Sequence, residues 1–228
     1  MTLVEPQPVT GRELSGVHIR QMTEADLESV IRIHRESFPG SRSTELGGRF
    51  LKKMYKWFIN NYPDFSLIAV VDSTPSGLIT GSLGSYSQKL FRYTLPEVAF
   101  GFVTNPRLLL RQGLFALSFR HLKGLFTRPS IPPGVMLSGQ GSLVASLGSI
   151  AVGQRGRGKN VGDALMRAFE NAAMMNQANS MFLSVKVDNT SARRLYERCG
   201  WQLTLVDDLK NMACYAKTVR KPMEYERV

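Results

Sequence analysis

The sequence predicts an α/β fold, a mixed and mostly antiparallel sheet of six or seven strands with helices on both faces. Three patterns carry this expectation. Residues 65–71 and 77–85 are β-rich runs around Asp72, Ser73, Thr74, Pro75 and Ser76, the pattern of two antiparallel strands and a turn. Residues 143–187 change from strand-like to helical and back to strand-like periodicity. Two further β-rich runs, 201–206 and 212–219, close the chain.

Taken in order, Val17 to Met22 reads as a first strand, and Thr23, Glu24, Ala25 and Asp26 form a helix start with acids in the first turn. The helix that follows places Leu27, Val30, Ile31 and His34 at three-to-four spacing and stops at Pro39-Gly40. Leu46 to Asn61 is predicted as one helix, ended by Tyr62-Pro63. After the hairpin, residues 86–133 change character: seven Lys or Arg face a single acid, Glu97, and the breakers Pro96, Pro106 and Pro129 interrupt two Phe-rich stretches. We read this as a basic, largely helical insertion in a single domain spanning 1–228. Its helix, 106–126, has apolar residues all round, so it needs cover on several sides. Packing over the core or in a homodimer is the preferred explanation. A membrane-surface element using Arg107, Arg111, Arg120 and Lys123 is the sharper alternative.

The strand at 143–152 leads to a helix at 161–177, whose Val161, Ala164, Leu165, Ala168, Phe169, Ala172 and Met175 share one face. Met181, Leu183, Val185 and Val187 then alternate as a strand. A helix from Thr190 to Cys199 stops at Gly200.

At 228 residues and 43% hydrophobic content, one sizeable core is expected. The start lacks the order of a secretory signal, and no apolar run reaches the ~18 residues of a membrane span, so the expectation is a cytoplasmic protein. Cys199 and Cys214 have no metal-ligand spacing, and no metal site is expected. The net charge of +11 suits a phosphate-rich partner, while aromatic residues are not interleaved with a basic cluster as nucleic-acid binding would require.

Val152 to Gly162 places small residues and successive backbone N–H groups where a strand hands over to a helix. Such a turn can cradle a pyrophosphate, with Gly158 and Gly162 permitting close approach and Arg155, Arg157 and Lys159 adding charge. Standing alone, it is better read as a solvated basic turn before an amphipathic helix.

With its neighbours, Ile150 to Met166 resembles the cofactor-binding motif of the GNAT superfamily of acyl-CoA-dependent N-acyltransferases, with Arg157, Gly158, Lys159, Asn160, Val161 and Gly162 in register. Asn160 stands where the family usually has glycine. Asn best tolerates a left-handed backbone among the other residues, so the loop is expected to keep its shape. Asn189, Ala192, Leu195, Tyr196, Gly200 and Trp201 resemble a second family pattern. The residues His34, Phe38, Leu46, Gly47, Phe50, Leu51 and Tyr55 are also similar to acyltransferases found with bacterial surface-glycan genes.

The resemblance implies acetyl-CoA as acyl donor, held by Ile150, Val152, the 157–162 loop, Asn189 and Tyr196, with strands around Ile150 and Val185 splayed to admit it. It implies direct attack by a primary amine, the Val152 N–H as oxyanion donor and Tyr196 as the acid that protonates the leaving thiolate. Many relatives carry a Glu on the strand before the loop, where this chain has Ser146. A serine cannot deprotonate an ammonium, so His34 is the candidate base, with Glu36 or Glu45 acting through water as alternatives. A lone His on a helix's apolar face is more often a core residue, and Tyr196 alone would be read as a packed aromatic. Cys199 as a nucleophile lacks a His partner. The acceptor expected is a small-molecule amine, an amino sugar or nucleotide sugar, with a protein N-terminus or a polyamine as other candidates. A non-catalytic CoA-binding scaffold is the reading from a different class.

Overall fold

The computed structural model describes residues 16–104 and 143–219. Seven strands form one sheet in the order β1-β2-β3-β4-β5-β7-β6, comprising β1 (Val17–Gln21), β2 (Ser66–Val71), β3 (Thr74–Leu83), β4 (Val144–Val152), β5 (Ser180–Lys186), β6 (Gln202–Asp207) and β7 (Met212–Thr218). Every adjacent pair is antiparallel except β4–β5. A parallel pair needs a crossover, which the helix α5 (Val161–Met175) supplies.

Alternation along β2 shows how the two faces are filled. Leu67, Ala69 and Val71 join Leu165, Met166 and Phe169 of α5 in one core, while Ile68 joins the other with α1 (Leu27–Ser37) and α3 (Gly48–Asn61). On α1 the buried side chains are the expected Leu27, Val30, Ile31 and His34, with Ile33 added to the stripe. Helix α5 lies close on the sheet because β3 offers glycines: a Cβ on Gly77 would stand 2.7 Å from Val161 Cγ1, and one on Gly81 2.5 Å from Phe169 Cε2.

The helix expected at 46–61 is α3, which starts just after Gly47 (φ 91°), and a short helix α2 (Arg42–Glu45) that spacing did not show precedes it. Two local expectations are corrected. The hairpin turn uses Asp72 and Ser73 rather than five residues. Both take left-handed backbones, φ 49° and 60°, and β3 begins at Thr74 with Pro75 opposite the bulge between Ala69 and Val70, where a ladder N–H is dispensable. Pro96, expected as a breaker, lies inside α4 (Ser87–Thr104), which packs on α3 through the Lys53–Glu97 ion pair at 2.8 Å and Arg49 over the Phe100 ring. It removes one intrahelical donor and the helix continues. The predicted helix 106–126 and its membrane-surface alternative lie outside the described residues.

No helix among the described residues is long and apolar enough to cross a membrane.

Candidate active site

Strand β4 is the fourth of seven, a place where side chains are usually covered on both faces. Here Ser146, Leu147, Ser149 and Ile150 are half-buried and Gly148 is exposed. The cause is a divergence. Only Val144, Ala145 and Ser146 pair with Ser180, Met181 and Phe182 of β5, after which the strands separate, whereas β4 stays paired with β3 to Val152. The expected splay near Ile150 and Val185 is therefore present.

The ladder phase shows what faces the gap. Gly153 N–H donates to the Ser76 carbonyl at 2.9 Å, and antiparallel pairs alternate between hydrogen-bonded and non-hydrogen-bonded. Val152–Gly77 and Ile150–Ile79 thus fall in non-hydrogen-bonded pairs, which turns the N–H groups of Val152 and Ile150 away from β3 toward the β5 side. The Val152 carbonyl on that same side accepts from Ser37 Oγ at 3.4 Å, tying α1 to the mouth of the gap.

At the end of β4 the chain turns into α5 through a short 3₁₀ turn, Gln154–Gly156. Gly158 (φ 75°) and Asn160 (φ 56°, ψ 21°) are both left-handed, a backbone that Asn tolerates better than other non-glycine residues. Nothing lies within 4 Å of where a Cβ on Gly158 would be, so the loop's surface is open. Asn160 is the N-cap of α5 without a side-chain cap bond, and the first-turn amides of this helix point to that surface. Lys159 holds the loop to the β2–β3 turn through Asp72 at 3.0 Å, while Arg155 and Arg157 are exposed. Gly162 serves packing as well: its Cβ would stand 3.2 Å from Leu195 Cδ2 of helix α6 (Thr190–Arg198). Arg198 makes a two-point bond to Asp163, 2.9 and 2.8 Å, fixing the start of α5 against α6.

A strand, a left-handed amide-rich loop and a helix start beside an opened parallel pair make the geometry that two motifs had implied, and residues 122–201 match the model of the Acetyltransferase (GNAT) family. That match covers about a third of the chain, and over it this sequence is similar to GNAT acetyltransferases. Solved structures share its fold. Ard1 from Thermoplasma volcanium is 20% identical with a TM-score of 0.56, the match covering 90% of this chain and 99% of that one. PH1933 from Pyrococcus horikoshii OT3 is 14% identical, TM-score 0.57, with 90% and 99% covered. Arabidopsis thaliana Naa50, solved with the bisubstrate analogue CoA-Ac-MVNAL, is 12% identical, TM-score 0.52, with 89% and 99% covered. No curated protein sequence matches the chain.

Within the matched region, Asn189 caps α6, its Oδ1 accepting from Ala192 N–H at 3.1 Å, which leaves Nδ2 as a donor. Tyr196 is buried against Trp201 and Tyr215, and burial pushes its hydroxyl up to about 12. It therefore stays protonated at neutral pH, as a proton donor must. Its hydroxyl has no hydrogen-bond partner among the described residues.

His34 is 3% exposed, with Nδ1 2.7 Å from Tyr55 Oη and Nε2 2.9 Å from Ser43 Oγ. Burial, helped by the Arg35 charge, lowers its pKa to about 4. Both ring nitrogens are committed, so any proton it takes must come through Tyr55 or Ser43. Glu36 reaches toward Gly153 and pairs with Arg32 at 3.5 Å, at the edge of a pocket that Ser76 and Arg155 also line. Cys199 lies 4.0 Å from Asp163 Oδ1, and burial first, then the Asp163 charge, raise its thiol pKa, which disfavours a nucleophilic thiolate. Among the described residues, no cluster of His, Cys, Asp or Glu could hold a metal.

Sequence reasoning missed Ser43, Thr80 and Ser149. The available signal was hydroxyl side chains inside otherwise apolar strands: Thr80 and Ser82 are fully buried on β3, and Ser149 stands half-buried opposite Thr80 with 2.8 Å between their hydroxyls.

Proposed function

We propose that the domain transfers an acetyl group from acetyl-CoA to a primary amine by direct attack in a ternary complex. The observation that carries this is the β4–β5 gap, with the Val152 and Ile150 N–H groups turned into it and the α5 amides at its end. The residues present fit the cofactor. The 157–162 loop would hold its pyrophosphate, Ile150, Val152 and the Asn189 Nδ2 its pantetheine arm, and Tyr196 would face its sulfur. Bound there, the donor would supply a thioester for the neutral amine to attack, with CoA thiolate leaving after addition. The Val152 N–H would be placed to stabilise charge on the carbonyl oxygen, and Tyr196 to give a proton to the departing sulfur.

The acceptor class we favour is an amino sugar or a nucleotide amino sugar, on the basic balance of the chain and the likeness of its first helices to glycan-cluster acyltransferases. A peptide N-terminus is the second reading. It is favoured by the fold shared with Naa50, solved with a peptide-bearing bisubstrate analogue, and with the NatC complex solved with Gag peptide and CoA. The test is release of free CoA from acetyl-CoA against amino sugars, nucleotide amino sugars, peptides with free N-termini and polyamines. Turnover confined to the sugars is expected. Turnover on peptides alone would replace the acceptor, and binding of acetyl-CoA without turnover on any amine would favour a non-catalytic CoA-binding scaffold.

A further inference from the structure

Helix α6 is locked to the sheet by a tyrosine that comes from β7. Residues four apart stand on one side of a helix, and Arg193 and Glu197 of α6 hold the Tyr215 hydroxyl between them. Arg193 Nε donates to Tyr215 Oη at 3.0 Å. A guanidinium only donates, so the phenol proton goes to Glu197 Oε1, 2.7 Å away. The other end of the Arg193 fork, Nη1, donates to the Val187 carbonyl at 3.2 Å, just past the end of β5. The end of β5, the middle of α6 and β7 are thus joined at one phenol.

This junction lies against Tyr196. Tyr215 is fully buried, and its ring centre stands 5.8 Å from that of Tyr196, tilted at 57°. Trp201 lies at 6.4 Å, and its Nε1 donates to Glu170 Oε1 at 2.8 Å, while Lys217 holds the other oxygen of that carboxylate at 2.8 Å. Both aromatic neighbours are therefore pinned by their polar ends. The Tyr196 hydroxyl, by contrast, has no hydrogen-bond partner among the described residues, so only the walls around its ring aim it.

Resting on the acetyl-transfer reading above, we propose that Tyr215, held by Arg193 and Glu197, is a positioning residue that keeps the Tyr196 hydroxyl aimed at the departing sulfur. No proton passes through Tyr215: its own is committed to Glu197, and it accepts from Arg193. Tyr196 alone touches the leaving group. Its alignment matters because a displacement of about 1 Å in a reacting group can cost on the order of 100-fold in rate. The same helix carries Asn189, which is fixed separately, as the cap of α6, by its bond from Ala192 N–H. Loosening Tyr215 should therefore disturb proton donation by Tyr196 and leave the Asn189 contact to the pantetheine arm in place.

The test has two arms on the full chain, built on Tyr215→Phe, which keeps the ring and removes the hydroxyl. Carbon NMR of ring-labelled tyrosine, with Tyr196→Phe to assign the signal, reads the Tyr196 ring directly. A shifted or broadened Tyr196 signal is expected in Tyr215→Phe, and an unchanged one would overturn the positioning role whatever the activity. CoA release is then measured with a primary amine that the wild type acetylates. In Tyr215→Phe we expect kcat to fall about 10-fold, with the KM for the amine and the acetyl-CoA affinity within about twofold of wild type. Added to Tyr196→Phe, the same substitution should change kcat by less than about twofold, because the hydroxyl it aims is gone. An equal loss in both backgrounds, or none in either, would overturn the proposal while leaving acetyl transfer intact. If Tyr215→Phe does not fold, Glu197→Ala and Glu197→Gln ask the same question: an amide oxygen still accepts from Tyr215, so Gln should restore the kcat that Ala loses, and equal losses would overturn the proposal. A wild type inert with every amine would remove the transfer reading and the positioning role with it.

Discussion

Strand β4 meets its two neighbours in different ways. Toward β3 it is paired from Ala145 to Val152, with one irregularity beside Gly81. Toward β5 it is paired over Val144 to Ser146 alone. The closed edge is held by glycines that bring α5 onto the sheet, and the open edge leaves backbone N–H groups without a ladder partner. The same strand is thus anchored on one side and available on the other, which is how a rigid sheet presents backbone donors to a ligand without losing its core.

The two edges should answer differently to change. The largest stability effect is expected beneath the closed edge, from His34. In the fold it stays neutral down to about pH 4, whereas in the unfolded chain it takes a proton near 6.5. Between those values unfolding binds a proton, so its contribution is fully present above 6.5 and is lost as pH falls toward 4, approaching about 3 kcal/mol in all. Urea midpoints should fall over that window in wild type and run flatter in His34→Gln. A wild-type profile flat from 6.5 to 4 would mean the ring is not desolvated. Next comes Gly81→Ala, whose Cβ would stand 2.5 Å from Phe169 Cε2 and 2.7 Å from the Ser146 carbonyl. We expect it to cost about 2–3 kcal/mol in denaturant unfolding. A cost below about 0.5 kcal/mol would show that the closed edge is looser than described.

On the open edge the effects on stability are smaller and those on ligand binding larger. Asn160→Val forces a β-branched residue into a left-handed backbone and should cost about 1–2 kcal/mol while weakening acetyl-CoA binding. Asn160→Gly should change stability by only a few tenths of a kcal/mol and retain binding. If both variants bind equally well, the backbone at 160 does not shape the cradle.

These contrasts also mark what was legible in the sequence. The open edge was readable because its chemistry is local: Arg157 to Gly162 are consecutive, and the tolerance of Asn160 for a left-handed backbone follows from its own side chain. The helical stripe of α1 was readable from its period. The break at Gly47 and the two-residue turn at Asp72-Ser73 were not, since each depends on a positive φ that apolar spacing does not encode. The two buried groups of polar contacts were least legible. Ser43, His34, Tyr55, Thr80 and Ser149 come from five elements, and only the packing of α1 and α3 onto β3 and β4 brings them together.

The most direct measurement is calorimetric titration of acetyl-CoA into the wild type and into the double variant Arg157→Ala, Gly162→Glu. Binding by the wild type that is lost in a folded double variant is the result we expect, because the substitutions remove a cation beside the cradle and place a carboxylate among the α5 amides. Equal binding by both proteins, or none by the folded wild type, would contradict the assignment of the β4–β5 gap and the α5 start as the acyl-donor site.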